Sequence, residues 1–136
     1  MPGLPMTIDW RKHWWLPGWA AGFLTVGVPY WAIPYNKVNL PDSVLGAGLL
    51  VVIAVAALAR AYLGRPFWRI VAVMGSVIPA VVMVRVMVDC SRDPTSHNLW
   101  PFEVFIAVIV GGAAALAGSV LGTLILLLLR KGRPGR

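Results

Sequence analysis

Long apolar runs constrain this chain more than any other feature of its sequence. Four of them, at about 16–33, 41–63, 67–88 and 101–129, contain most of the 136 residues. Because 59% of the residues are hydrophobic and only 12% are charged, the chain cannot cover a water-soluble surface with polar groups. A helix of about 20 apolar residues crosses the hydrocarbon core of a bilayer. The sequence therefore predicts a single-domain, all-α membrane protein with four transmembrane helices.

The distribution of charge predicts how these helices are oriented. The N-terminal segment, the turn after the second apolar run and the C-terminal tail hold nine of the 12 basic residues and one of the five acidic residues, a net charge of +8. The opposite side holds three basic and four acidic residues, a net charge of −1. Basic residues in short loops stay preferentially on the cytoplasmic side. We therefore expect an up-down-up-down bundle with both termini cytoplasmic, a multi-pass protein of the cytoplasmic (inner) membrane.

The basic character of the chain does not indicate a nucleic-acid-binding protein. The formal net charge of +7 comes from lysines and arginines that flank apolar runs, where membrane topology accounts for them. No sequence motif indicates a catalytic residue, a cofactor site or a metal site, since HExxH, CxxC and phosphate-binding glycine loops do not occur. We expect no enzymatic activity and no bound cofactor.

Small residues predict a helix-packing face on the last apolar run. Gly118 and Gly122 form a GxxxG motif, and Ala114 extends the same stripe. Gly111 lies on a neighbouring stripe, and the second apolar run, 41–63, is also rich in glycine and alanine. Small residues let helix backbones approach closely in lipid, where no hydrophobic force drives helices together. The motif does not name the partner, which could be another helix of the chain, another membrane subunit or a second copy.

The longest polar interval, 89–103, lies between the third and fourth apolar runs, and we expect it to face outward. It holds the main candidates for a functional cluster, Asp89, Asp93, His97 and Glu103. The carboxylates and the imidazole could converge on a cation, or they could pass protons, since histidine titrates near neutrality. A lone histidine among carboxylates does not decide between these uses.

Structural roles account for most of the same residues. Asp93 followed by Pro94 is typical of the start of a short helical turn, and Glu103 suits the positive end of the last helix. Arg85 lies four residues before Asp89, so the two can pair on one helix face. Only the histidine of this interval has no structural role that the sequence explains.

The sequence itself does not identify a biochemical activity. Our leading hypothesis is a non-enzymatic integral membrane protein that acts through helix packing, as an accessory subunit of a membrane complex or as a homo-oligomer. The alternative is a small oligomeric channel or transporter with the acidic outer loop as its mouth. A third interpretation is a membrane enzyme or metal site that uses His97, Asp93 and Glu103.

Overall fold

The computed structural model describes Asp9, residues 11–133 and Gly135, and within these residues the chain is 78% helical and contains no strand. The expected all-α class is therefore confirmed for this part of the chain. Two short 3-10 turns lie between the first two helices, at Tyr35–Lys37 and Asp42–Val44. The α-helices are α1 (Trp15–Ala32), α2 (Ala47–Tyr62), α3 (Phe67–Gly75), α4 (Val77–Arg92) and α5 (Trp100–Lys131).

In the part of the chain that the structure describes, two helical stretches are long and apolar enough to cross a membrane. One is formed by α3 and α4 together, Phe67–Arg92, and the other is α5 with its 32 residues. Helix α2 is apolar but shorter, with 16 residues. At 1.5 Å per residue, α5 measures roughly 48 Å, so it exceeds the hydrocarbon core of about 30 Å.

Two helix boundaries differ from the predicted ones. Helix α2 begins at Ala47 instead of near residue 41, because a 3-10 turn follows Pro41 and Gly46 has an extended backbone that does not continue a helix. Helix α4 continues through the first part of the predicted loop and ends at Arg92. It stops there because Asp93 precedes a proline, which disfavours the helical conformation of the residue before it.

A proline in the first turn of α4 accounts for the break between α3 and α4 at Ser76. Pro79 has no N–H to donate to the carbonyl of Gly75, so the regular hydrogen-bond ladder is interrupted near Ser76. The indole Nε1 of Trp19 in α1 donates to the Ser76 hydroxyl at 3.0 Å, which joins α1 to this break. A Cβ atom at Gly111 in α5 would overlap the Gly75 carbonyl oxygen, so α5 crosses here at close range.

The closest contact between α2 and α5 depends on two glycines. A Cβ atom at Gly118 would overlap the carbonyl oxygen of Ile53, and one at Gly122 would overlap that of Ala57. We call these four residues the glycine interface. Gly118 and Gly122 of the predicted packing face therefore lie against α2 of the same chain, whereas Gly111 of that face lies against Gly75 of α3 and Ile78 of α4. The buried positions of α5 are all small, Ala107, Gly111, Ala114, Ala115, Gly118, Ser119 and Gly122.

Basic side chains gather at one end of the helices, which we call the arginine end. Arg60 at the end of α2 donates from Nε to the Thr123 hydroxyl of α5 at 3.0 Å. Arg65 donates to the backbone carbonyl of Arg11 at 2.5 Å, and its guanidinium lies 5.7 Å from the ring centroid of Trp14. The start of α1, the α2–α3 connection and the C-terminal half of α5 therefore meet at this end.

Candidate functional site

Four charged side chains meet at the opposite end of the helices, and we call them the histidine cluster: Arg85, Asp89, His97 and Glu103. Arg85 and Asp89 lie on the same face of α4 because they are four residues apart. Glu103 lies in the first turn of α5, where the positive end of the helix favours a carboxylate. His97 comes from the connection between these helices, residues 93–99.

The local fold of this connection turns His97 inward. The carboxylate of Asp93 accepts hydrogen bonds from the amide and the hydroxyl of Thr95 at 3.0 and 2.7 Å, which forms a tight turn. His97 then adopts a left-handed backbone conformation with φ of 55°, which is uncommon for a residue other than glycine. Its N–H donates to the hydroxyl of Tyr35 at 3.1 Å. As a result the His97 side chain is only 1% exposed.

Both ring nitrogens of His97 contact carboxylates. Nδ1 lies 2.8 Å from both carboxylate oxygens of Glu103, and Nε2 lies 2.9 Å from Oδ2 of Asp89. A neutral imidazole has one N–H donor, whereas an imidazolium has two, so two acceptors at these distances fit the protonated ring. Burial by itself lowers the pKa of His97, but the hydrogen bonds and negative charges of Asp89 and Glu103 outweigh it and raise the pKa above the ordinary value of 6.5.

Arg85 connects this cluster to the C-terminal end of α1. Its Nε donates to Asp89 Oδ2 at 3.3 Å, and its two terminal nitrogens donate to the carbonyl oxygens of Tyr30 at 2.5 Å and Ile33 at 2.6 Å. Because Pro34 has no N–H, the Tyr30 carbonyl cannot receive the usual helical hydrogen bond from that position. The Ile33 N–H donates to this carbonyl at 3.3 Å instead, and Arg85 adds a second, shorter hydrogen bond. The positive charge of Arg85 also suits the negative end of the α1 dipole.

This capping role is the part of the site that sequence reasoning missed. Pairing with Asp89 is visible in the sequence, and the structure shows that ion pair. The structure also buries Arg85, at 6% exposure. Two sequence features together could have indicated that Arg85 caps the first helix. One is an arginine inside an apolar run, and the other is Pro34 after the first helix, which has no N–H for the carbonyl four residues before it.

The structure brings together three of the four predicted site residues. Asp89, His97 and Glu103 form direct contacts, whereas Asp93 is exposed and contacts Thr95. The hydrogen bonds from the Thr95 hydroxyl and amide hold the pKa of Asp93 below its usual value, so this carboxyl stabilises the turn and is not part of the cluster. His97, which had no structural role in the sequence interpretation, is the residue that joins α4 to α5.

The contacts of the imidazole decide what the cluster can do chemically. A histidine that binds a metal offers the lone pair of one nitrogen, but here each nitrogen already faces a carboxylate. Among residues 9, 11–133 and 135, no three or more histidine, cysteine or carboxylate side chains are arranged to hold a metal ion. The geometry instead favours an ion-paired imidazolium that can lose and regain one proton.

No protein family, curated protein or solved structure matches this chain.

Proposed function

We propose that this chain is a multi-pass membrane protein in which α1, α2, the α3–α4 pair and α5 each cross the bilayer. The observation that carries this proposal is the character of the two sides of α5. The buried side consists of glycine, alanine and serine, whereas the exposed side carries large apolar residues such as Phe102, Phe105 and Leu128, which are 67%, 63% and 70% exposed. A helix on the surface of a soluble protein has the opposite arrangement, with apolar residues inside and polar residues outside. Lipid is the solvent that suits this surface.

The separation of charge supports an orientation with both ends of the chain in the cytoplasm. The arginine end joins the start of α1, the α2–α3 connection and α5 near Thr123, and the basic residues Arg130 and Lys131 follow it. Asp89 and Glu103 lie in the histidine cluster, at the other end of the same helices. Basic residues concentrated at one end fit the cytoplasmic face of the inner membrane.

A labelling experiment tests this topology. We would express Asn98→Cys and Lys131→Cys, each in a Cys90→Ala background, and treat intact cells with a membrane-impermeant maleimide. Both positions are exposed, so both can react wherever the reagent reaches them. The proposal expects Asn98→Cys to react in intact cells and Lys131→Cys to react only after permeabilisation. Equal labelling of both residues, or the reverse order, would overturn it.

We further propose that the protein works without catalysis, as an accessory subunit of a membrane complex or as a homo-oligomer. The supporting feature is a shallow groove between α3–α4 and α5, lined by Val71, Ala72, Gly75, Ser76, Pro79, Val108 and Gly112. Nothing lies within 4 Å of a Cβ atom placed at Gly112, so a neighbouring helix could approach the backbone there. The glycine interface is already occupied by α2, whereas this groove is a small-residue surface that a partner helix could contact.

Mass determination of the intact protein in a mild detergent tests the accessory role. A complex of fixed stoichiometry, or a closed homo-oligomer, is the expected result. Gly112→Leu should fill the groove and dissociate the assembly without disturbing the chain, because that position has free space. Val120→Leu, at a position on α5 that is 50% exposed, is the matched control and should leave the assembly intact. A strictly monomeric wild-type protein contradicts the proposal.

A channel or transporter is the alternative, and one observation favours it. Arg85 is buried within a helical stretch that is apolar enough to cross a membrane, and charged residues in such positions often mark ion or proton pathways. The contacts of Asp89 and Glu103 argue the other way, since both carboxylates are paired with His97 and are not free to attract cations. Flux assays in liposomes test this alternative, and flux equal to that of empty vesicles would remove it.

A further inference from the structure

The connection between α4 and α5 depends on one buried residue. Within residues 93–99, Asp93, Pro94, Thr95, Asn98 and Leu99 are exposed and Ser96 is half-buried, whereas His97 is buried. The His97 side chain contacts α4 through Asp89 and α5 through Glu103, and its backbone contacts Tyr35 in the first 3-10 turn. The Cys90 thiol of α4 also donates to the Ser96 carbonyl at 3.5 Å. His97 is nevertheless the one residue of the connection whose contacts join it to α4, to α5 and to the first 3-10 turn.

We propose that His97 is a pH-operated latch, which holds the connection between α4 and α5 against the helix ends when it is protonated and releases the connection when it loses its proton. The latch rests on the contacts of the histidine cluster and does not depend on the membrane topology or on the accessory role proposed above.

The charges around His97 explain why the loss of one proton is enough to release the connection between α4 and α5. Asp89 faces the ring from α4 and Glu103 faces it from α5, while Arg85 is paired with Asp89. The phenol of Tyr35 lies edge-on to the imidazole, with the ring centroids 4.8 Å apart. With His97 protonated, two positive charges balance two carboxylates. Once the proton leaves, one carboxylate faces a bare nitrogen lone pair, and the cluster carries an unbalanced negative charge in a poorly hydrated site.

The direction of the response follows from the pKa of His97. The two carboxylates raise this pKa in the folded protein above the value of about 6.5 in an unfolded chain. A group with a raised pKa contributes its full stabilisation below the unfolded value and loses it as the pH rises through the folded value. The latch is therefore closed below the ordinary histidine value and opens as the pH rises through the raised pKa of His97.

The contacts between Arg85 and the C-terminal end of α1 limit how far the release of the connection spreads. Arg85 holds the Tyr30 and Ile33 carbonyls and lies over the Tyr30 ring at 4.9 Å, and these contacts do not involve the His97 proton. We therefore expect the connection at 93–99 to move while the contact between α1 and α4 persists. The response is local to the end of the molecule that contains the histidine cluster.

A spin label on the connection measures this release directly. Asn98 is exposed, so Asn98→Cys can carry a nitroxide without filling a packed site. A Cys90→Ser background removes the native thiol and keeps a donor for the Ser96 carbonyl. We expect the label in reconstituted protein to be restricted at pH 6 and to become mobile through a one-proton transition at higher pH. In the added His97→Gln variant it should be mobile throughout, since glutamine cannot carry the charge. His13→Gln, which changes the exposed second histidine, should show the wild-type transition.

A second variant keeps the proposal falsifiable if His97→Gln fails to fold. Glu103→Gln removes one of the two carboxylates, so the transition should move to lower pH by about one unit. NMR of the His97 imidazole should give the same midpoint as the label in each protein. A flat mobility profile between pH 5 and pH 10, a transition that persists in His97→Gln, or a midpoint that does not move in Glu103→Gln would each overturn the latch.

Discussion

The glycine interface and the histidine cluster both join α5 to another helix, but they do so with opposite chemistry. At the glycine interface, Gly118 and Gly122 bring the α5 backbone against carbonyls of α2, with no charge involved. At the histidine cluster, Glu103 is joined to Asp89 of α4 through the imidazole of His97. The first contact is set by shape and does not respond to pH, whereas the second is set by charge and does. The molecule therefore has a fixed contact along its helices and an adjustable contact at one end.

The largest expected effect in this comparison comes from Arg85→Met. The substitution leaves Asp89 without its cation and removes the donors to the Tyr30 and Ile33 carbonyls, so the free energy of unfolding should fall by about 3 kcal/mol. Titration with a denaturing detergent in mixed micelles measures it. Arg92→Met, an exposed arginine on the same helix, is the matched control and should change little. Equal losses in the two variants would contradict the capping role.

Gly118→Ala tests the glycine interface. The added methyl group meets the Ile53 carbonyl oxygen and the Ala56 side chain, so the helices must separate, and the free energy of unfolding should fall by about 2 kcal/mol at every pH. Gly112→Ala on the same helix has free space and should gain up to about 1 kcal/mol from helix propensity. A pH-dependent loss in Gly118→Ala would break the distinction between the two contacts.

His97→Gln should produce a smaller loss that depends on pH. At pH 6 the wild-type ring is charged and donates to both carboxylates, so the variant should be less stable by about 1–2 kcal/mol. The raised pKa of His97 means that wild-type stability falls as the pH rises through this pKa, so the difference between the two proteins should shrink toward pH 9. The unfolding titration repeated at both pH values checks this, and a difference that grows with pH would reverse the sign of the argument.

The smallest effect is expected for Asp93→Asn. Asp93 is exposed, and asparagine keeps the oxygen that accepts the Thr95 hydrogen bonds, so unfolding should be unchanged within error and the His97 midpoint by NMR should stay in place. Asp89→Asn provides the contrast, because it removes a carboxylate in contact with the ring and should lower that midpoint. A midpoint that moves in Asp93→Asn would place this residue within the cluster after all.

The properties that the sequence determined by itself are local ones. Composition and the long apolar runs predict helices throughout, because a chain with so few polar residues must satisfy its backbone internally. The pairing of Arg85 with Asp89 follows from a spacing of four residues, and the small-residue face of α5 follows from the spacing of Gly118 and Gly122. Each of these features needs only the geometry of one helix.

Only the tertiary structure decided which groups meet across helices. Gly118 lies against Ile53 of α2, and Arg85 reaches the end of α1 more than 50 residues earlier in the chain. His97 is eight residues from Asp89 and six from Glu103, and these separations alone do not bring the side chains together. The contacts form because the left-handed backbone at His97 places its ring between the ends of α4 and α5. The turn at His97 is specified by its long-range contacts as much as by its own residues, since Tyr35 holds the His97 backbone. For that reason the sequence could mark the polar interval 89–103 but could not separate Asp93 from the residues that form the cluster.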